Sequence, residues 1–295
     1  MIATIDADLV AFRCAASVLD SEEDEQIAHL RCDKLMRDLL ANTNASGYFA
    51  FLTGSGNFRK KINPEYKANR KDKPPPKWLQ SCRAFLIQEW NAKVSDGCEA
   101  DDLLGIAQTS ETILCSLDKD LNMIPGCHYN WLQNTAYVIE SFDGIKHFYK
   151  QMLIGDRSDN ILGIEGIGPV KASKLIDGLT SEQEMFDVVF QKYNDPARFL
   201  TNAQCLWIMQ KEGETWAHRS EHLILDDQFK LAVEVMLDSM TSLIPDTSME
   251  PTSIPMMTSG IQSNGTPVEC MEINEVPLTL STFQSEPLTN ELDGR

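Results

Sequence analysis

The sequence is short of cations and lacks closely spaced cysteine pairs. Its 26 lysines and arginines face 44 aspartates and glutamates, a formal net charge of −18. Phosphate contacts need cations, so a chain this acidic binds nucleic acid only where its few cations are gathered in one place. There are eight cysteines but no C-x-x-C pair, and the five histidines are scattered. These absences speak against zinc ribbons, thioredoxin-like redox chemistry and a zinc enzyme, and leave reduced, buried thiols as the expectation. No apolar run approaches the ~18 residues of a membrane span, and Met1–Asp8 reads as a short strand rather than a signal peptide. What the sequence does have is 295 residues, 42% of them hydrophobic. That is enough for a sizeable core and about two domains.

Three apolar runs bounded by turns read as buried parallel strands: residues 2–5 before Asp6, 48–53 before Gly54-Ser55-Gly56, and 112–117 before Asp118. Helical spacing over 28–40, 77–91 and 101–109 alternates with them, and a further short strand is expected at about 93–96. Alternating strands and helices predict an α/β class with an open parallel sheet, whose ligands sit beyond the carboxyl ends of the strands. From about residue 151 the pattern turns helical, with segments at 151–153, 170–176, 182–193 and 201–211. The expected domains are therefore an α/β domain over 1–150, with a basic clamp at about 57–92, and a helical region over 151–240. Residues 241–295 hold one cation against eight acids and lack sustained periodicity, which predicts a largely disordered tail.

Four acidic motifs stand out, three of them where a strand or helix begins or ends: Asp6-Ala-Asp8, Glu99-Ala-Asp101-Asp102, Asp118-Lys-Asp120, and Gly155-Asp156-Arg-Ser-Asp159-Asn160, whose two acids share a helical face. Each alone also suits a solvated loop or a helix cap. If they converge, their carboxylates share one cleft, and such a cluster stays ionised only with counter-cations. All-oxygen ligands select hard divalent ions, Mg²⁺ or Mn²⁺, and two such ions make a phosphoryl-transfer site. A rival reading takes Asp6 as the nucleophile and Asp8 as the acid/base of a haloacid-dehalogenase-type phosphatase. It leaves the Glu99 and Asp118 motifs unused.

Residues 59–77 carry eight cations, Arg59, Lys60, Lys61, Lys67, Arg70, Lys71, Lys73 and Lys77, against Glu65 and Asp72. Phe58, Tyr66 and Trp78 are interleaved with them, a composition suited to a nucleic-acid backbone and its bases. Residues 162–174 contain Gly163, Gly166, Gly168 and Pro169 ahead of Lys171 and Lys174. Glycines let amides approach a ligand, a following helix N-terminus receives phosphate, and the two lysines lie one turn apart. This is a helix–hairpin–helix signature.

Pro64-Glu-Tyr-Lys-Ala-Asn-Arg70, Glu99-Ala-Asp-Asp102, Leu117-Asp-Lys-Asp120, Gly155-Asp-Arg-Ser-Asp-Asn160 and Gly166-Ile-Gly-Pro169 occur in the order found in structure-specific 5′ nucleases. The sequence resembles that family over roughly residues 1–215, above all the compact bacteriophage 5′–3′ exonucleases. The resemblance implies a PIN-like sheet, a helical clamp and a helix-three-turn-helix element. It implies metal-dependent hydrolysis of DNA carrying a 5′ end, nick or flap, with 5′-phosphate products, in a host cytoplasm and without a membrane. It implies two divalent metal ions, Mg²⁺ or Mn²⁺, held by Asp6, Glu99, Asp101, Asp102, Asp118, Asp120, Asp156 and Asp159. Lys67 and Arg70 match the basic residues that meet the scissile phosphate, and Tyr66 an aromatic at the clamp base. Gly163, Gly166, Gly168, Lys171 and Lys174 match the hairpin that holds duplex backbone, with a K⁺ ion. Two departures stand out. Gly54 takes the place of an acid at the end of the second strand, and the short span from Arg70 to Glu99 predicts an open lip rather than a closed arch.

Overall fold

In the computed structural model, which describes residues 1–18, 25–70, 74–240, 252–253 and 271–272, the apolar runs become strands of one sheet. Strands β1 (Ile2–Asp6), β2 (Gly47–Ser55), β3 (Lys93–Asp96), β4 (Thr112–Cys115), β5 (Gly126–Asn130) and β6 (Thr135–Ile139) lie in the order β6-β5-β4-β1-β2-β3. Pairing is parallel except for the β5–β6 hairpin. The central strands are covered on both faces, which is why they read as continuous apolar runs. Ala3, Ile5, Ala50, Leu52, Ile113 and Cys115 pack against helices α1 (Ala7–Ala16), α2 (Glu25–Thr43) and, past the one-turn helix α3 (Arg59–Ile62), α4 (Leu79–Trp90). Phe51 and Leu114 face the opposite core. It is built from α5 (Ala100–Ala107), α6 (Ser141–Ile154), α7 (Pro169–Ile176), α8 (Glu182–Tyr193), α9 (Pro196–Leu206), α10 (Trp216–Arg219) and α11 (Asp227–Met240). Phe186, Phe199, Trp216 and Phe229 are its aromatic centre.

Several expected elements shift. The short helix at 151–153 is the end of α6, which runs across residue 150. The helix expected at 201–211 is α9, which starts five residues earlier. Asp195 caps it, accepting from Arg198 N at 3.0 Å, and Pro196 fills its first turn. Strands β5 and β6 carry polar residues at alternating positions and gave no apolar run. The tail contributes β9 (Thr252–Ser253), paired with β2, and β10 (Met271–Glu272), paired with β6, after the two-residue strands β7 (Gly155–Asp156) and β8 (Ile161–Leu162). These four residues of the tail, expected to be largely disordered, are strands. The rest of 241–295 lies outside the described residues, as do Lys71, Asp72 and Lys73. Among the described residues six cysteines are free and buried, as expected, whereas Cys127 is disulfide-bonded.

Chain order reverses at β1, which has β2 on one side and β4 on the other. The carboxyl ends of β1 and β4 are therefore the switch point, where an open α/β sheet leaves a crevice.

Candidate active site

Asp6 closes β1 and caps α1. Its Oδ1 accepts from Leu9 N at 3.0 Å, and its Oδ2 accepts from the Ser116 hydroxyl at 2.8 Å. Ser116 Oγ accepts in turn from Asp118 N at 3.1 Å, and Asp118 Oδ1 accepts from Asp120 N at 2.9 Å. One relay of hydrogen bonds thus fixes the acids that follow both strands. The amide of Ala100 donates to Thr53 Oγ1 at 3.0 Å, which brings the start of α5, and with it Glu99 and Asp101, to the end of β2. Asp6, Glu99, Asp101, Asp118, Asp120 and Asp159 line one cavity of about 510 Å³ together with Asp8, Lys60, Lys67, Arg70 and Arg83. Asp156 is not in that lining. It sits beside Asp120, and its charge raises both Asp118 and Asp120.

The segment with Lys67 and Arg70 is fastened to the turn bearing Asp159. Lys67 N donates to Asp159 O at 2.9 Å, Asn69 Nδ2 to Arg157 O at 2.7 Å, and Asn160 Nδ2 to Glu65 O at 2.8 Å. Lys67 pairs with Glu99 and lies 3.5 Å from Asp159, and Arg70 pairs with Asp159 at 2.5 Å. Lys67 also adopts φ 57°, a left-handed backbone that costs a non-glycine residue energy and persists only where its surroundings enforce it.

The pocket is electrostatically divided. Burial would raise Glu99, but Arg59 and Lys67 hold it below its ordinary value. Asp6, Asp101, Asp118 and Asp120 pair with no cation among the described residues. Burial, with a lesser push from Asp118, takes Asp6 up to about 6. Desolvation and the charges of Asp118, Asp156 and Asp159 take Asp120 up to about 8. Asp101 and Asp118 rise for the same two reasons. Among the described residues no three such side chains already form a coordination shell. Mg²⁺, however, keeps several waters and takes only one or two carboxylates. Crowded oxygen donors that form no ion pair among the described residues fit a hard divalent ion.

Two expected site residues are placed elsewhere. Asp102 is fully buried behind the cavity, gripping Arg59 and accepting from Glu99 N at 2.9 Å, so it orients the start of α5. Tyr66 is 3% exposed, and its single hydroxyl proton is shared between Glu99 Oε2 and Asp159 Oδ2, each 2.8 Å away. It offers no stacking surface, and neither does Phe58, which is also buried. In the hairpin, Gly163 is pressed against the Ile154 backbone, where an added Cβ would lie 2.2 Å from the carbonyl carbon. Gly166, at φ +73°, and Gly168 are open, and Lys171 and Lys174 are exposed, with Lys171 Nζ 2.7 Å from Gly166 O. Gly54 does line the cavity, but a Cβ there would stand 1.9 Å from the Ser95 carbonyl oxygen. Close approach of β3 demands this glycine. Sequence reasoning missed Arg59 as a buried residue and Arg83 altogether. Arg59 lay in a basic run that read as surface, and Arg83 is a lone cation on a helix.

An open α/β sheet with an acidic crevice at its switch point, rimmed by cations, defines a PIN-like fold with a candidate phosphoryl-transfer site. No protein-family model matches the chain. Among curated proteins it is 29% identical over 210 residues to a 5′–3′ exonuclease of Mycoplasma pneumoniae, a match covering 58% of this chain and 70% of that one. It is 25% identical over 224 residues to a 5′–3′ exonuclease of Mycoplasma genitalium, covering 65% and 75%. It is 27% identical over 162 residues to the flap endonuclease Xni of Shewanella piezotolerans, covering 48% and 63%. The bacteriophage T5 5′-exonuclease with bound zinc superposes with a TM-score of 0.54 at 17% identity, covering 70% of this chain and 88% of that one. The chain is thus similar in sequence to 5′–3′ exonucleases and a flap endonuclease, and in fold to a 5′-exonuclease.

Proposed function

We propose that this chain is a metal-dependent 5′–3′ DNA exonuclease, with flap endonuclease activity, that hydrolyses phosphodiesters to 5′-phosphate products. The observation that carries the reading is the gathering of Asp6, Asp101, Asp118 and Asp120, with no cation of their own, in one cavity with Lys67 and Arg70. These four acids, supported by Glu99, Asp156 and Asp159, are the residues that would hold two divalent ions, Mg²⁺ or Mn²⁺. When bound there, the ions supply Lewis acidity for phosphodiester hydrolysis. Lys67 and Arg70 take the scissile phosphate and offset charge as it develops. Tyr66 and the backbone of Asp159 hold Lys67 in place. Gly166, Gly168, Lys171 and Lys174 receive duplex backbone, with K⁺ at the hairpin, and the α/β part with the helical region over 151–240 forms the two-part organisation. A cytoplasmic setting belongs to the same proposal.

The dehalogenase-type reading needs a free Asp8. Its Oδ2 accepts from Thr53 N at 2.7 Å and its Oδ1 pairs with Arg83, so it is not free to act as an acid/base. The test is cleavage of 5′-labelled duplex, nicked and flapped DNA in Mg²⁺, Mn²⁺ or EDTA. The reading expects shortened products that carry a 5′-phosphate, with either ion and not in EDTA. Turnover of a simple phosphate monoester without DNA cleavage would overturn it.

A further inference from the structure

The cations of the cavity stand in two groups. Lys67 and Arg70 are tied to Glu99 and Asp159. Arg83, projecting from α4, is tied to Asp8 and to the end of β2. Lys60 lines the same cavity and is exposed. The chemistry proposed above uses neither Arg83 nor Lys60.

Arg83 is held in a defined pose. Its Nη1 donates to Asp8 Oδ1 and its Nη2 to the Thr53 carbonyl oxygen, while Thr53 N donates to Asp8 Oδ2. Asp8 and Thr53 therefore each take one donor, from Nη1 and Nη2 respectively, of a guanidinium that has five in all. The side chain keeps 19% of its surface exposed in the cavity wall. Beside Thr53 is Gly54, where the Ser95 carbonyl leaves no room for a side chain. At the strand end where the family resemblance expects a carboxylate, this chain has an arginine fork instead, and that fork fits phosphate oxygens as a carboxylate fits a metal.

We propose that Arg83, assisted by Lys60, is a second phosphate-binding subsite, which takes a phosphodiester neighbouring the scissile one in the same DNA strand. The subsite rests on the nuclease reading of the pocket. Lys67 and Arg70, held by Glu99 and Asp159, take one phosphate of the strand, and Arg83, held by Asp8 and Thr53, takes the next, in a cavity that the acids and Lys60 also line.

The rival role for Arg83 is to neutralise Asp8, and a charge-conserving variant separates the two. Binding of a 5′-labelled duplex by the full-length protein is measured in EDTA across a salt series, with melting temperature as the check on folding. The pair Asp8→Asn with Arg83→Gln leaves net charge unchanged. It should bind about tenfold more weakly at low salt, with a log–log salt slope shallower by about 0.7–0.9, the value of one phosphate contact. Lys60→Gln should lower the slope further. Asp8→Asn alone, which frees the fork, should bind as tightly as the unaltered protein or more tightly. Arg83→Lys should keep the slope and lose affinity. A double variant with unchanged slope and affinity would reduce Arg83 to a counter-ion and overturn the subsite. Cleavage by the unaltered protein in Mg²⁺ is scored separately. If it fails while the double variant still loses slope, the nuclease reading falls and the phosphate subsite stands.

Discussion

Asp102 grips Arg59 through both carboxylate oxygens, at 2.6 and 2.8 Å, and the two side chains are 0% and 2% exposed. Arg59 also donates to the carbonyl oxygens of Cys205 at 2.9 Å and Trp207 at 2.6 Å. The pair thus joins the start of α5, which presents Glu99 and Asp101 to the cavity, to the end of α9. Removing one partner leaves the other charge buried and unpaired. Arg59→Met should cost about 3–5 kcal/mol of folding stability, and adding Asp102→Asn should recover part of that loss. Urea unfolding of the single and double variants measures both.

The cation-free acids make a different prediction. Asp118→Asn and Asp101→Asn should abolish single-turnover cleavage in Mg²⁺ while the dissociation constant for duplex DNA stays within a few fold, since removing an acid does not weaken contact with phosphate. Loss of DNA binding to the same extent as cleavage would assign these residues to the binding surface instead.

Their elevated pKa values link stability to pH. A carboxyl whose folded pKa lies above its unfolded value stabilises the fold below the unfolded pKa, and that contribution is lost as pH rises through the folded one. Asp6 runs from 3.8 to about 6, and Asp120 from 3.8 to about 8. The metal-free protein should therefore lose melting temperature between about pH 4 and pH 8. Millimolar Mg²⁺ or Mn²⁺ should suppress most of that loss by displacing the protons. A thermal melt series in EDTA and in metal decides it. A flat profile in EDTA would mean that the acids are not crowded.

Lys67 and Lys171 should separate chemistry from binding. Lys67→Ala should slow cleavage at saturating DNA by roughly 10²-fold, the scale of losing one oriented transition-state contact. Lys171→Ala should leave that rate intact, weaken duplex binding and flatten its salt slope by about 0.9. Normal cleavage by Lys67→Ala at saturating DNA would remove Lys67 from the reaction.

Gly54 is sterically fixed. An added Cβ would stand 1.9 Å from backbone that belongs to another strand. Gly54→Ala and Gly54→Asp should both destabilise, by about 1–3 kcal/mol, the cost typical of overpacking. Gly54→Asp should therefore not sharpen the response to metal. A stable Gly54→Asp protein with a lowered metal-activation midpoint would show that β3 yields to admit a carboxylate.

Much of this was written in local sequence. The strands β1, β2 and β4 were legible because burial on both faces makes their residues uniformly apolar. The acids after them were legible because carboxylates at strand ends have a chemical meaning wherever the sheet closes. Asp102 and Tyr66 were named as site residues on motif alone. Whether a side chain faces the cavity or the core depends on its partner, Arg59 for one and the Glu99–Asp159 pair for the other, and each partner lies tens of residues away. Arg83 left no trace in its neighbourhood, because its significance comes from Asp8 and Thr53.

The bonds that shape the cavity are long-range in sequence. Ser116 reaches Asp6 across 110 residues, Tyr66 reaches Asp159 across 93, and Arg83 reaches Asp8 across 75. Pairings of this separation form only once the loops between them have closed. Local turns fix single acids, as Asp118 is fixed against Ser116 and Asp120, but the cleft they share exists only where the sheet has brought the ends of β1, β2 and β4 together, so the site's integrity is tied to that of the whole sheet.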